Sequence, residues 1–212
     1  MTNDLILMSK LFGQDAYIAG VDEVGRGALF GPVVAAAVVL PQSALPQLSL
    51  IGVKDSKQLS AKKRVALAQN IKELVTNWQI GYATVKEIDE LNILQASLLA
   101  MKRAVTKLKL KPEICLVDGN KTIPELLIPQ ENIIKGDQIS PAIAAASIIA
   151  KVWRDELIVR WAKSYPNYDL ITNKGYGTQR HRQALLKYGP SAQHRMSFRL
   201  KVMGPKDIHK HC

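Results

Sequence analysis

At 212 residues, 47% hydrophobic and 22% charged, the chain has an average soluble composition and a length suited to one compact domain, which excludes a disordered, collagen-like or repeat-only protein. The longest apolar run, Ala28 to Leu40, is broken by Gly31 and Pro32 and is too short to span a membrane, and Met1 to Gly13 lacks the features of a secretory signal. The net charge of +11 is uneven: from Lys151 onward 13 Lys+Arg stand against 4 Asp+Glu, and before it 16 stand against 14, so a basic final third suggests either a polyanion partner or a solvated surface that aids solubility.

In chain order, strands are predicted at Tyr17 to Val21 and Val33 to Leu40, short apolar runs bounded by Gly, Pro or charged positions. Leu67, Ile71, Leu74 and Val75 form a helical stripe behind a Ser60 N-cap. A strand follows at Trp78 to Val85, then a second stripe, Leu94, Leu98, Met101, Val105 and Leu108. Ile114 to Val117 reads as a further strand. It carries Cys115, far from Cys212, a pairing that suits neither a disulfide framework nor a zinc site and fits a reducing cytoplasm. A helix starts at Ser140 with Pro141 in its first turn, a start that matches cap chemistry. Thr178 to Tyr188 reads as a short basic helix ended by Gly189 and Pro190, and Ser191 to Cys212 as a weakly periodic, partly mobile segment. The pattern predicts an α/β fold with a mixed sheet, an α/β core over about 17–163 and a basic helical C-terminal segment over about 164–212.

The densest chemical cluster is Asp22-Glu23-Val24-Gly25-Arg26-Gly27. Neighbouring strand residues face opposite ways, so both carboxylates serve one site only if the strand ends or bulges there. Gly25 and Gly27 let backbone approach a ligand, and Arg26 suits a phosphate. An ordinary strand-to-loop turn with an exposed charge pair fits the same letters. Asp118-Gly119 closes another strand, where ligands collect in α/β sheets, although Asp-Gly is also a common turn. Asp137 precedes the Ser140 cap, as either a ligand or a plain helix-start acid. Together Asp22, Glu23, Asp118 and Asp137 offer hard oxygen ligands suited to Mg²⁺ or Mn²⁺. Two such ions, roughly 3.5–4 Å apart, would serve in-line attack on a phosphodiester.

The ordered set of motifs resembles the type 2 ribonuclease H family, in its bacterial ribonuclease HII form. Tyr17-Ile18-Ala19-Gly20-Val21-Asp22-Glu23-Val24-Gly25-Arg26-Gly27 is similar to the family's opening signature. Asp55-Ser56-Lys57-Gln58-Leu59-Ser60, Val117-Asp118-Gly119 and Lys135-Gly136-Asp137 follow in family order, then the run Ala145 to Asp155 and Asn173-Lys174-Gly175-Tyr176-Gly177-Thr178. The resemblance implies a ribonuclease H-like fold with four metal-binding carboxylates at Asp22, Glu23, Asp118 and Asp137. It implies endonucleolytic hydrolysis of RNA in RNA–DNA hybrids. It also implies incision 5′ of ribonucleotides embedded in duplex DNA, leaving 3′-hydroxyl and 5′-phosphate ends, a reaction of replication and repair. Gly25, Arg26 and Gly27 are then expected to sense the ribose 2′-hydroxyl, the group that separates RNA from DNA. Tyr176 is expected to stack near the junction and to help recognise the following deoxynucleotide.

Lys57 is expected either to touch a phosphate or to cap the next helix. Ser147 and Lys151, four apart on one helix face, are placed to reach the nucleic-acid backbone. Asp155 reads as a structural ion pair beside Arg154, and His181 as either orienting substrate or packing on its helix. His194-Arg195-Met196-Ser197-Phe198 departs from the family's His-Arg-Arg-Ser-Phe at Met196, which removes one charge from a potential backbone contact. Tail residues His209, His211 and Cys212 offer only a stray metal site. The expected state is a cytoplasmic monomer with no membrane contact, accessory subunit or extra N-terminal domain. Two rivals stand beside this reading: a nuclease of the same fold class that shares the carboxylates but need not require a 2′-hydroxyl, and a nucleic-acid-binding module whose basic face works without catalysis.

Overall fold

The computed structural model describes residues 15–53 and 60–198, so Lys57, most of its Asp-Ser-Lys motif, and the tail with His209, His211 and Cys212 lie outside the described residues. Five strands form one sheet in the order β3-β2-β1-β4-β5. β1 (Tyr17–Val24) pairs antiparallel with β2 (Val33–Pro41), which pairs antiparallel with β3 (Asn77–Ala83). On its other side β1 runs parallel to β4 (Ile114–Asp118), and β4 runs parallel to β5 (Gln130–Ile133). The sheet is therefore mixed, as expected.

Helices cover both faces. α1 (Leu45–Leu50) and α2 (Ala61–Leu74) follow β2, and the Ser60 hydroxyl caps α2 by accepting from the Lys63 amide at 3.3 Å. α3 (Val85–Leu91) and α4 (Ile93–Thr106) follow β3. α5 (Gly136–Ile139) leads into α6 (Pro141–Trp161), whose start is the predicted Ser140 cap, accepting from Ile143 N. α7 (Leu170–Asn173) and α8 (Gln179–Tyr188), capped by Thr178, complete the order. No described helix is long and apolar enough to cross a membrane.

The period-2 alternation of the strands sorts their side chains into two cores. Ile18, Ala36, Val38, Leu40, Ile114 and Leu116 pack against α6, α1 and α2. Ala19, Val21, Ala35, Ala37, Cys115 and Val117 pack against α4. The contact with α6 is close because a Cβ at Gly20 would lie 2.2 Å from the Ala142 carbonyl carbon. Small residues of both elements thus bring the α6 backbone directly onto β1, two positions before Asp22.

Several expectations shift. The strand expected at Trp78 to Val85 stops at Ala83, because Thr84 starts a helix. Its hydroxyl accepts from the Glu87 amide while the Glu87 carboxylate accepts from the Thr84 amide, a reciprocal capping box. The stripe residues Val75 and Leu108 lie just past the ends of α2 and α4. The segment after α8 is tied down through residue 198. An isolated bridge pairs Phe30 with His194, Arg195 is buried, and the amides of Met196 and Ser197 donate to Asp89. A third apolar cluster, including Phe30, Ile158, Tyr168 and Leu185, seals this region onto the end of α6.

Candidate active site

Asp22, Glu23 and Asp118 converge where β1 and β4 stop pairing. Each offers a carboxylate oxygen, and these oxygens all lie within 4.8 Å of one another. β1 neither ends nor bulges at this point, contrary to expectation: its pairing with β2 continues through Asp22↔Ala36 and Glu23↔Ala35 to Val24↔Val34. What ends is the β4 ladder, at Val21↔Val117. The strand parity that places Ile18 on the α6 side places Asp22 there too. Glu23 has the opposite parity, and its longer side chain meets the same point beyond the last β4 pair.

Local hydrogen bonds fix each carboxylate. Asp22 accepts from the Glu23 amide at 2.6 Å, and Ser147 of α6 lies near enough to favour its charged form. Asp118 accepts from the Gly136 amide at 2.7 Å, so the start of α5 is held against the end of β4. Glu23 accepts from the Arg26 guanidinium at 3.0 Å. Ser147, expected against nucleic acid, therefore lies beside a member of the acidic group.

Asp22 is 5% exposed. Burial, then the adjacent Glu23 charge, raises its carboxyl well above the ordinary aspartate value, with Asp118 adding to the rise and Ser147 opposing it. Burial likewise raises Glu23, with Arg26 as the main opposing influence. Asp22 and Glu23, crowded in a poorly solvated corner beside one arginine, thus both hold their protons more tightly than free carboxyls do. An oxygen-only donor set of this kind fits a hard divalent cation. Asp137 occupies the first turn of α5, next to Gly136, and is not part of the 4.8 Å grouping.

The glycines around Arg26 have different surroundings. Gly25 has φ +89°, and a Cβ there would meet the Arg154 side chain at 2.2 Å; around Gly27 a Cβ would meet nothing within 4 Å. Gly25 is required by the fold, whereas Gly27 is exposed and faces open space, next to the Arg26 that pairs with Glu23. Tyr176 is half-buried and pairs by its backbone with Ala28, so the Gly-Arg-Gly segment and the tyrosine share one rim. The Lys151 ammonium and the Arg154 guanidinium each lie 5.5 Å from the Tyr176 ring centre. Lys151 also pairs with Asp155 at 2.9 Å. Lys151, rather than the expected Arg154, is thus the ion-pair partner of Asp155.

Arg154 and Arg195 are residues whose role the sequence did not reveal. Arg154 is fully buried and donates to the carbonyls of Pro32, Phe30 and Lys174 at 2.9–3.0 Å. Arg195 donates to the carbonyls of Gly31 and Arg26. Their shared work is to clasp the loop after β1 against the segment bearing Tyr176. No local signal marks either of them, since Arg154 stands among Lys151, Asp155 and Glu156 like an ordinary surface charge.

The basic final third is visible in part, with Arg180, Arg182 and Lys187 exposed on α8. Comparison with known proteins agrees with this arrangement. A model of the ribonuclease HII family matches residues 19–201. The ribonuclease HII of Nostoc sp. is 62% identical over 188 residues, 89% of this chain and 84% of that protein. That of Trichodesmium erythraeum is 63% identical over 180 residues, 85% of each chain. Among solved structures, the ribonuclease H2 of Pyrococcus horikoshii OT3 superposes with a TM-score of 0.75 at 29% identity, covering 88% of this chain and 96% of that one. The chain belongs to the ribonuclease HII family, and with it to the endoribonucleases.

Proposed function

We propose that this enzyme hydrolyses RNA in RNA–DNA hybrids and incises duplex DNA on the 5′ side of an embedded ribonucleotide, leaving a 3′-hydroxyl and a 5′-phosphate. The observation that carries this reading is the convergence of Asp22, Glu23 and Asp118 within 4.8 Å, with Arg26, the neighbour of the open Gly27, paired to Glu23 at 3.0 Å. Asp22, Glu23 and Asp118 would hold divalent cations, Mg²⁺ or Mn²⁺, with Asp137 as a fourth ligand. Two such ions supply Lewis acidity at both the attacking and the leaving oxygen of an in-line displacement.

The chain's own residues define which bond is cut. The Gly25-Arg26-Gly27 segment, clasped by Arg195 through the Arg26 carbonyl at 2.8 Å, presents backbone to the ribose, where a 2′-hydroxyl both donates and accepts. Tyr176 stacks on the adjoining nucleotide, and Lys151, held by Asp155, lies beside it for the phosphates. Ser147 favours the charged form of the Asp22 carboxyl. The basic surface of α8 extends the electrostatic footprint along the duplex. The ribose 2′-hydroxyl is not the nucleophile, because the phosphate on its 5′ side is out of its reach; water attacks phosphorus and the bond to the upstream O3′ breaks. The reading is of a cytoplasmic monomer that works as one unit, core and basic segment together, on a nucleic-acid partner alone.

The test is an end analysis on a labelled duplex with a single ribonucleotide. The upstream fragment is expected to be extended by a DNA polymerase without prior end repair, and the ribonucleotide to remain at the 5′ end of the downstream fragment. A cut on the 3′ side, or a 2′,3′-cyclic phosphate product, contradicts the proposal.

A further inference from the structure

Two buried imidazoles take no part in the chemistry described so far. His181 of α8 and His194 of the following segment are 0% and 1% exposed, and their Nε2 atoms are 3.0 Å apart. Two neutral imidazoles sustain that contact only if one Nε2 bears the hydrogen and the other does not. The backbone at each end decides which. The Ser191 amide, which can only donate, lies 2.9 Å from His194 Nδ1. That nitrogen therefore accepts, and the His194 hydrogen sits on Nε2. His181 Nε2 then accepts from it, which leaves the His181 hydrogen on Nδ1, 3.0 Å from the carbonyl oxygen of Tyr176, a group that can only accept.

The outcome is a one-way hydrogen-bond chain from the Ser191 amide to the Tyr176 carbonyl, with both tautomers fixed. Packing keeps the rings in place: Phe30 and Tyr168 lie 5.0 and 4.6 Å from the His194 ring, and the Tyr168 hydroxyl donates to the Gly189 carbonyl. Burial disfavours the charged form of both imidazoles, and His194 is held down to about 4, so the chain is intact at neutral pH. The Tyr176 backbone is also held by its bridge to Ala28 and by local bonds, its amide donating to Asn173 and its carbonyl also accepting from the Thr178 amide.

We propose that the His194–His181 pair is a positioning device for Tyr176, fixing its peptide so that its ring meets the nucleic acid at the proper height beside the carboxylates. The inference rests on the reading of Tyr176 as a stacking residue. It makes His181 and His194 positioning residues that act through Tyr176, without contact with substrate.

The measurement is the ratio of kcat/KM on a duplex with one ribonucleotide to kcat/KM on an uninterrupted RNA–DNA hybrid, with thermal unfolding alongside. The variants are Tyr176→Ala, His181→Leu, His181→Asn, and His181→Leu combined with Tyr176→Ala. Tyr176→Ala is expected to lower the ratio, and His181→Leu to lower it on the order of tenfold, inside the range for a displaced stacking ring. His181→Asn, whose amide N–H stands where Nδ1–H stood, is expected to keep the ratio within about twofold of native. In the Tyr176→Ala background His181→Leu is expected to leave the ratio unmoved. Equal loss on both substrates that tracks the thermal midpoint, failure of asparagine to restore the ratio, or additive effects in the double variant would each overturn the proposal. A native ratio in Tyr176→Ala itself would instead refute the stacking reading, leaving the pair nothing to position.

Discussion

Replacing Asp118 by asparagine separates stability from catalysis in a way the site geometry makes quantitative. The variant keeps an oxygen able to accept the Gly136 amide, now at 2.7 Å, and loses one negative charge from a group no wider than 4.8 Å. Two unit charges at that separation repel by about 3.5 kcal/mol at an effective dielectric near 20. Part of the repulsion is already relieved, because Asp22, raised by burial and by its acidic neighbours, retains its proton to higher pH. The net gain on removing a charge is therefore about 1–3 kcal/mol, which for a chain of this size raises Tm by roughly 2–10 °C. Thermal unfolding in chelator at neutral pH is the assay, repeated with Mg²⁺ or Mn²⁺, and cleavage is followed in parallel. The expected result is a variant more stable than native in chelator, less stabilised by added cation, and slower in cleavage by about two orders of magnitude or more. A variant destabilised in chelator, or one that cleaves at the native rate, would refute the reasoning.

The glycines flanking Arg26 should respond oppositely. Gly27→Ala is expected to leave the denaturation midpoint within about 0.5 kcal/mol of native while reducing cleavage at a ribonucleotide, because its Cβ meets only open space. Gly25→Ala, at φ +89° and against Arg154, is expected to destabilise the fold measurably; equal stability of the two variants contradicts the distinction. Arg154→Met leaves the buried carbonyls of Phe30 and Pro32 and the part-buried one of Lys174 without their donor. At least about 3 kcal/mol is expected to be lost, a fall in Tm of roughly 10 °C, and a fall of under a degree would show that the clasp is dispensable. Because His194 is held down to about 4 by burial and by His181, the unfolded chain takes up a proton below its ordinary value near 6.5 that the folded chain refuses. Its contribution to stability is constant above that pH and is lost as the pH falls toward 4. Urea midpoints at several pH values should fall less steeply in His194→Gln than in native protein, and identical slopes would remove the histidine from the account.

The legible parts of this fold are those where one physical cause dominates. The buried strands β1, β2 and β4 announce themselves by apolar runs, and the Ser60 and Ser140 caps by hydroxyls ahead of helical stripes. Asp118 closes its strand, and Asp22 and Glu23 follow an apolar run ahead of glycines, although what brings them together is the end of the β1–β4 pairing rather than an end of β1. β5 went unread because Gln130–Ile133 is a half-buried edge strand with no apolar signature. α3 was obscured by the aliphatic run into Val85, although Thr84 and Glu87 already spelled the capping box. The pairing of His181 with His194, and the clasp by Arg154 and Arg195, depend on contacts between distant segments that no local pattern encodes. Asp137 carries the family pattern, yet its place in the first turn of α5, outside the 4.8 Å grouping, is a matter of backbone path rather than of spacing.

The most direct test of the central claim is cleavage of a DNA duplex containing one ribonucleotide beside an all-DNA duplex of the same sequence, with Mg²⁺ or Mn²⁺ and with chelator. The account predicts a cut only in the first duplex, only at the ribonucleotide, and only with divalent cation present. Equal cutting of both duplexes, or cutting that persists in chelator, would contradict it.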